Sequence, residues 1–359
     1  MNAPFHAFAA APSVRLAEPD GADLAALAAF LADHPATTPF HRAEWLEAVA
    51  KGTGARACGL VAERQGAVVG WLPLHEVHSP LFGRALASSG FAVGGGVLVA
   101  PDTDPAPLIA AAEELAARRS CASLELRGGV LPDDRAGWTV RRDSHAGFVR
   151  PLAADDAAEL LAIPRKQRAE VRKGLERALA ITVGTGATDR AAHYAVYAES
   201  VRNLGTPVFP RALFDAVLDR FGTDADILTV WDGAAPVASV LSLYHRGAVM
   251  PYWGGGTRAA RALRANDRMY FELMRHARAR GCTAFDFGRS KVGSGAHAFK
   301  RNWGFAPEPL AYAGWTATGA RARDVNPASE GNRALVRAWQ RMPLWLANRV
   351  GPVLARGLG

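Results

Sequence analysis

Apolar residues at three- and four-residue steps, Met269, Leu273, Met274 and Ala277, predict a helix over 266–280 that Gly281 ends. On its N-terminal side Ala248–Trp253 reads as a strand stopped by Gly254, Gly255 and Gly256. On its C-terminal side Thr283–Phe287 alternates, with Phe285 and Phe287 on one face and Asp286 on the other. Gly288, Arg289, Ser290 and Lys291 then fall at the carboxyl end of that strand, where open α/β sheets place their ligand sites. Lys300 and Arg301 follow on a short helix.

The same order of patterns occurs earlier in the chain. A helix over 20–32, capped by Asp20 or Asp23, and a second over 41–51 with Trp45, Leu46 and Val49 on one face lead into a hairpin, Cys58–Arg64 and Ala67–Val77 across Gln65-Gly66. The segment 91–99 carries Gly94, Gly95 and Gly96, then come a helix over 105–118 and a strand over 122–126 ending at Arg127-Gly128-Gly129. Residues 226–290 repeat this plan: a hairpin across Asp232-Gly233, a strand with its glycine triplet, a helix and a strand. Gly96 lies 25 residues before Cys121 and Gly256 lies 26 before Cys282. VVGWLPL (68–74) matches VASVLSL (237–243), and CASLELRG (121–128) matches CTAFDFGR (282–289). A shared spacing of this kind points to duplication of one unit of hairpin, strand, crossover helix and strand in a mixed sheet.

Between the repeats, IPRKQRAEVRKGLERALAITV (163–183) opens on Pro164 and carries a cationic helix with Val171, Leu175 and Leu179 as its apolar stripe. A helix over 191–204 follows, then the turn Gly205-Thr206-Pro207. The tail from Asn326-Pro327 onward is basic, with Trp339 and Trp345. The chain therefore divides into a disordered lead-in (1–13), an N-terminal unit (14–150), a C-terminal unit (151–318) and a basic amphipathic tail (319–359).

At 359 residues, two cores rather than one are expected. A hydrophobic share of 49% with 21% charged residues describes a globular chain, and the net charge of +8 favours anionic partners. No aromatic RNA-binding motif or helix-turn-helix spacing stands out, so nucleic acid is expected only as a tRNA donor. The three cysteines, Cys58, Cys121 and Cys282, are far apart and form no CxxC pair, which argues against a disulfide framework and a zinc site. No signal-peptide pattern opens the chain and no run of about 18 apolar residues exists, so a cytoplasmic location is expected, with the tail either resting on the inner membrane or packing against the second domain.

The candidate chemistry gathers at the second repeat. Lys300, fenced by Phe299, Trp303 and Phe305, suits stabilisation of an oxyanion or a phosphate, or else is a solvated surface lysine. Asp286 is the best-placed carboxylate for a general base, or else a structural aspartate. Arg289 and Ser290 could grip a phosphate or carboxylate; the alternative for Arg289 is an ion pair with Asp286. Arg168 and Arg172, one turn apart, could hold a diphosphate or an anionic glycan, or form a solvated face. Tyr252 and Trp253 could stack on a sugar or nucleotide, or pack in the core. Asn266 is read as the cap of its helix, with Arg268 facing the cleft and His297 as an acid or base in a loop.

The duplicated unit, KQRAEVRKGLERAL, FDFGRS and HAFKRNWGF together resemble the FemAB family of aminoacyl and acyl transferases. The chain also resembles the FemAB-related subtype of PEP-CTERM/exosortase clusters, which is similar to the BioF2-like acetyltransferase domain. The resemblance is specific over 163–315. It implies tandem GNAT-like domains, α/β with mixed central sheets and flanking helices. It also implies acyl or aminoacyl transfer to an amine of a cell-envelope or exopolysaccharide precursor, with Lys300 matching the family's short-helix lysine. The implied donor is acyl-CoA or aminoacyl-tRNA, with no resident cofactor, and the implied partner is an anionic or lipid-linked glycan. Two departures bear on the donor: no coiled-coil hairpin is inserted between the repeats, and TRAARALRAND has no glycine after Gly256 to complete a pyrophosphate loop. The competing expectation is a non-catalytic GNAT-like module that binds an anionic glycan or a membrane surface.

Overall fold

The computed structural model describes residues 11–17, 23–79, 83–320 and 330–358. In chain order the first half runs β1 (Ser13–Ala17), α1 (Leu24–Asp33), α2 (Ala43–Thr53), β2 (Arg56–Arg64), β3 (Ala67–Ser79), β4 (Gly83–Ser88), β5 (Leu98–Val99), α3 (Ala106–Arg118), β6 (Ser123–Arg127), β7 (Trp138–Gly147) and β8 (Val149–Pro151). The middle runs α4 (Asp156–Ala162), α5 (Arg165–Leu175), β9 (Ala180–Gly184), α6 (Ala187–Leu204), α7 (Arg211–Phe221), β10 (Ala225–Asp232), β11 (Ala235–His245) and β12 (Ala248–Gly256). The last part is α8 (Arg258–Leu263), α9 (Ala265–Ala279), β13 (Ala284–Asp286), β14 (Ser290–Lys291), α10 (Gly295–Asn302), β15 (Glu308–Thr316), α11 (Glu330–Arg341) and α12 (Leu344–Ala355).

Two mixed sheets result. The first has the order β1-β2-β3-β4-β6-β15-β7-β14, with β5 paired to β3; the second has the order β8-β13-β12-β11-β10-β9. In each, a hairpin feeds a third strand that runs parallel to the strand after the crossover helix: β4 beside β6 and β12 beside β13. The β2–β3 turn places Gln65 at φ 53 and Gly66 at φ 79, the paired positive-φ geometry that keeps a tight hairpin in step with strand twist. The duplication read from the residue pattern is therefore present in the strand pairing.

The two units exchange strands. β15 and β14, late in the chain, join the first sheet, while β8 joins the second by pairing with β13. A shared core holds the units together. Phe40, Trp45, Val49 and Phe91 of the first pack with Phe214, Val217, Leu241 and Trp253 of the second. Polar ties reinforce it: Arg42 pairs with Asp224 at 2.8 Å, and Arg246 donates to the α1 carbonyls of Leu31 and Ala32.

Several local expectations change. The lead-in and Asp20 lie outside the described residues apart from 11–13, and Ser13 already begins β1. α1 starts after Asp23, whose carboxylate is held by Arg15 instead of capping the helix. β4 replaces the strand expected over 91–99, most of which is loop. Asn326-Pro327 also lies outside the described residues.

The glycine triplet does not stop the second-unit strand, because β12 runs through Gly256. Each glycine is required by a neighbour. A Cβ on Gly254 would lie 2.9 Å from Val240, one on Gly255 would strike Ser200, and one on Gly256 would strike Asn266 and Ala260.

Candidate active site

β12 and β13 are paired as parallel strands only at Ala248↔Ala284 and Val249↔Phe285. Beyond that point β12 continues to Gly256 paired with β11, while β13 ends at Asp286. The two parallel strands thus part at their carboxyl ends, the position at which α/β sheets bind ligands. Phe285 and Phe287 anchor the loop that follows by burying both rings in the second core, with 0% and 3% of each residue exposed.

That loop is held from two sides. The Asp286 carboxylate accepts from the Gly288 N–H at 2.8 Å, and Gly288 adopts φ 70, a conformation that favours glycine. The Lys300 ammonium donates to the Gly288 carbonyl at 3.1 Å and to the Arg289 carbonyl at 3.0 Å, between the rings of Phe148 and Phe287. Burial pushes the Lys300 pKa down to about 8, with nearby Arg289 adding to the shift and Asp286 opposing it. Burial also raises the Asp286 carboxyl, against the Gly288 N–H and the Lys300 charge.

Arg289 does not pair with Asp286. Its Nη1 donates to Tyr312 Oη at 3.3 Å, and that hydroxyl donates on to the Val93 carbonyl at 2.8 Å. Ser290 pairs with Ala146 of β7 and is buried, and its hydroxyl has no partner among the described residues. His297 sits in the first turn of α10, its N–H donating to Ser294 Oγ and its ring edge-on to Phe148 at 5.4 Å. Lys300, Asp286, Arg289, Ser290 and His297 are therefore brought into one neighbourhood.

The other candidates lie elsewhere. Arg168 donates to the Leu161 and Ile163 carbonyls at the end of α4, so it caps a helix rather than gripping a ligand. Arg268 does the same for α5 through the Leu175 carbonyl and pairs with Glu272. Arg172 is exposed on α5. Trp253 is 4% exposed and packs among Trp45, Phe209 and Phe214, so it is core rather than a stacking platform. Tyr252 packs on Phe40 and Trp45 and donates to the Phe91 carbonyl at 2.6 Å. Asn266 does not cap α9. Arg264, at φ 56, takes that place, and Asn266 faces Gly256 instead.

The 90–93 loop and His145 of the first unit, with Tyr312 of β15, complete the neighbourhood, and none of these was read as a site residue from the residue pattern. Four consecutive carbonyls of one loop each receive a side-chain donor: Gly90 from Trp45, Phe91 from Tyr252, Ala92 from Arg127 and Val93 from Tyr312. Phe91 there has φ 62, a strained value for a bulky residue that the clamps hold in place. His145 of β7 lies 5.4 Å from the Tyr312 ring, and burial, then the charges of Arg289 and Lys291, push its pKa down to about 4. Only the strand exchange that carries Tyr312 and His145 beside Arg289 reveals them.

Residues 165–301 match the family model of the acetyltransferase (GNAT) domain. The structure is similar to that of FemX, with a TM-score of 0.62 and 15% identity over 92% of this chain and 100% of that one. A tandem GNAT protein from the clavulanic acid biosynthesis pathway matches with a TM-score of 0.55 and 16% identity, over 86% of this chain and 100% of the other. L-PGS from Bacillus licheniformis matches with a TM-score of 0.52 and 15% identity over 90% and 98%. The fold is a tandem GNAT-like one. No curated protein matches the sequence. The matched segment contains β12, β13, the 286–291 loop and Lys300, so the domain assignment falls on the unit whose parallel strands part.

Proposed function

We propose that the protein is an N-acyltransferase of FemAB type, moving an acyl or aminoacyl group from a thioester or ester donor to an amine. The observation that carries this reading is that the Asp286 carboxylate and the Lys300 ammonium both hold the 288–289 loop after β13, inside the segment that matches the GNAT acetyltransferase domain.

The amine nitrogen attacks the donor carbonyl carbon, and the carbonyl π electrons move onto oxygen. An ammonium has three N–H donors; Lys300 spends two on the Gly288 and Arg289 carbonyls, which leaves one for the oxyanion. The tetrahedral species collapses, the amide forms and the thiolate or alkoxide leaves. Asp286, raised by burial, takes the proton that the attacking amine releases. Arg289, half-buried and without a carboxylate partner among the described residues, binds an anionic group of donor or acceptor.

The acceptor we infer is an amino sugar or peptide amine of an envelope or exopolysaccharide precursor, as in the FemAB-related subtype of exosortase clusters. Such a precursor on a lipid carrier would be met at the inner face of the membrane. The donor is acyl-CoA or aminoacyl-tRNA. FemX and L-PGS share the fold, which is compatible with either donor.

A thermal-shift screen of acyl-CoAs, aminoacyl donors and nucleotide sugars tests the reading, since a ligand of the folded state raises its apparent stability. A donor that stabilises the protein and is consumed when an amine acceptor is added supports it. Saturable binding of a glycan with no transfer from any donor overturns it in favour of a binding module.

A further inference from the structure

Five large apolar side chains are more than 60% exposed among the described residues: Leu161, Leu204, Leu335, Trp345 and Val353. Four of these five lie on α11, on α12 or at the end of α6 against which α11 packs, so the exposure is clustered rather than scattered.

Both helices are fixed to the body by their other faces. On α12, Ala347, Gly351 and Ala355 recur every four residues and are buried; a Cβ on Gly351 would lie 3.1 Å from Val208. On α11, Trp339 is buried and Val336 closes against Gly205. Gln340 is tied to α6 by Arg202, which donates to its carbonyl at 3.2 Å, and by its own amide, which donates to the Asn203 carbonyl at 3.3 Å. The four-residue step then sets Trp345, Arg349 and Val353 along the outward face of α12, with Arg356 one turn beyond.

Charge selects the occupant. Residues 331–359 contain five arginines and no aspartate or glutamate. Arg337, Arg341, Arg349 and Arg356 are exposed and form no ion pair among the described residues. A second copy would set one cationic face against another. A nucleic acid would satisfy the arginines and leave exposed leucine and valine in water. An anionic bilayer satisfies both, with guanidinium groups at the headgroups and Trp345, Val353 and Leu335 in the interface.

We propose that α11 and α12 form a docking surface for an anionic lipid bilayer, on which the protein lies without spanning it. No helix among the described residues is long and apolar enough to cross a membrane. The proposal rests on this surface alone and stands apart from the acyl-transfer reading.

The test is co-sedimentation of the full chain with vesicles of phosphatidylcholine alone and of phosphatidylcholine with about one third phosphatidylglycerol. We expect binding to the anionic vesicles only, weakening as salt screens the headgroup charge. Arg349→Glu with Arg356→Glu should weaken that binding about tenfold or more, and Trp345→Ser by several-fold. Wild-type melting temperatures would show that these variants fold, and acyl transfer to a water-soluble acceptor should be unchanged. Four results overturn the proposal: no binding to anionic vesicles, equal binding to neutral ones, binding that the variants leave intact, or variants that shift only the oligomeric state or nucleic-acid retention.

Discussion

Arg127 ends the crossover strand of one copy of the unit and Arg289 lies just past that of the other, and they are used differently. Arg127 is 7% exposed, donates to the Ala92 carbonyl at 2.8 Å and is paired with Glu125. It is a strut for the 90–93 loop. Arg289 is half-buried and makes one long hydrogen bond, 3.3 Å, to a tyrosine hydroxyl. The strands beneath them differ in the same sense. β4 and β6 pair over three positions, and β15 and β7 extend that sheet beyond β6 as β8 extends the other beyond β13. β12 and β13 pair at two positions and part. The parallel strands of the second copy part, and the 90–93 loop of the first copy accepts from the Tyr312 hydroxyl that Arg289 reaches, so one copy braces the site of the other.

The sharpest way to break this comparison is at Lys300, whose replacement by alanine should lower kcat about 10²- to 10³-fold, the scale of losing an oxyanion donor, with donor affinity little changed. Steady-state kinetics reads this, and wild-type turnover would remove Lys300 from the chemistry. Next comes Arg127→Met, which leaves the Ala92 carbonyl without its donor and removes the ion pair to Glu125. It should cost about 2–3 kcal/mol of stability in denaturant titrations. Arg289→Gln should change stability by less than about 0.5 kcal/mol but weaken binding of an anionic substrate about tenfold. Equal stability losses for the two arginines would erase the distinction between strut and ligand.

The pH profile gives a smaller effect. The folded Lys300 pKa, about 8, lies below its ordinary 10.5, so between those values the unfolded chain holds a proton that the folded one has released. Stability from this residue therefore rises with pH across that window. A reaction that needs the ammonium instead falls to about half at the folded pKa and onward above it. A pH–rate profile of Lys300→Arg, whose charge persists, should lose that alkaline limb. Smallest of all, Arg172→Ala on the exposed face of α5 should leave melting and turnover within error.

Local patterns were legible where the cause is local. The apolar steps of α9, the Gln65-Gly66 hairpin and the place of Asp286 and Arg289 at the end of β13 follow from periodicity and strand order, while Lys300 was placed with them by the family resemblance. What was hidden depends on distant partners. Gly254–Gly256 read as a loop because glycines break strands, yet Val240, Ser200 and Asn266 require them inside one. Arg168 and Arg268 read as ligand-binding cations, but the helix ends that they cap are visible only in three dimensions. Tyr312 and His145 carried no signal, since nothing in β15 or β7 announces that these strands meet beside a loop of the other unit.

The most direct test of a site at the parting of β12 and β13 is amide hydrogen exchange with and without an acyl donor that raises the melting temperature. The account predicts new protection over 254–268 and 286–300, where β12 and β13 part, and none over 83–88 or 123–127. Protection of the first unit's parallel strands instead, or donor stabilisation with no protection at 286–300, would contradict it.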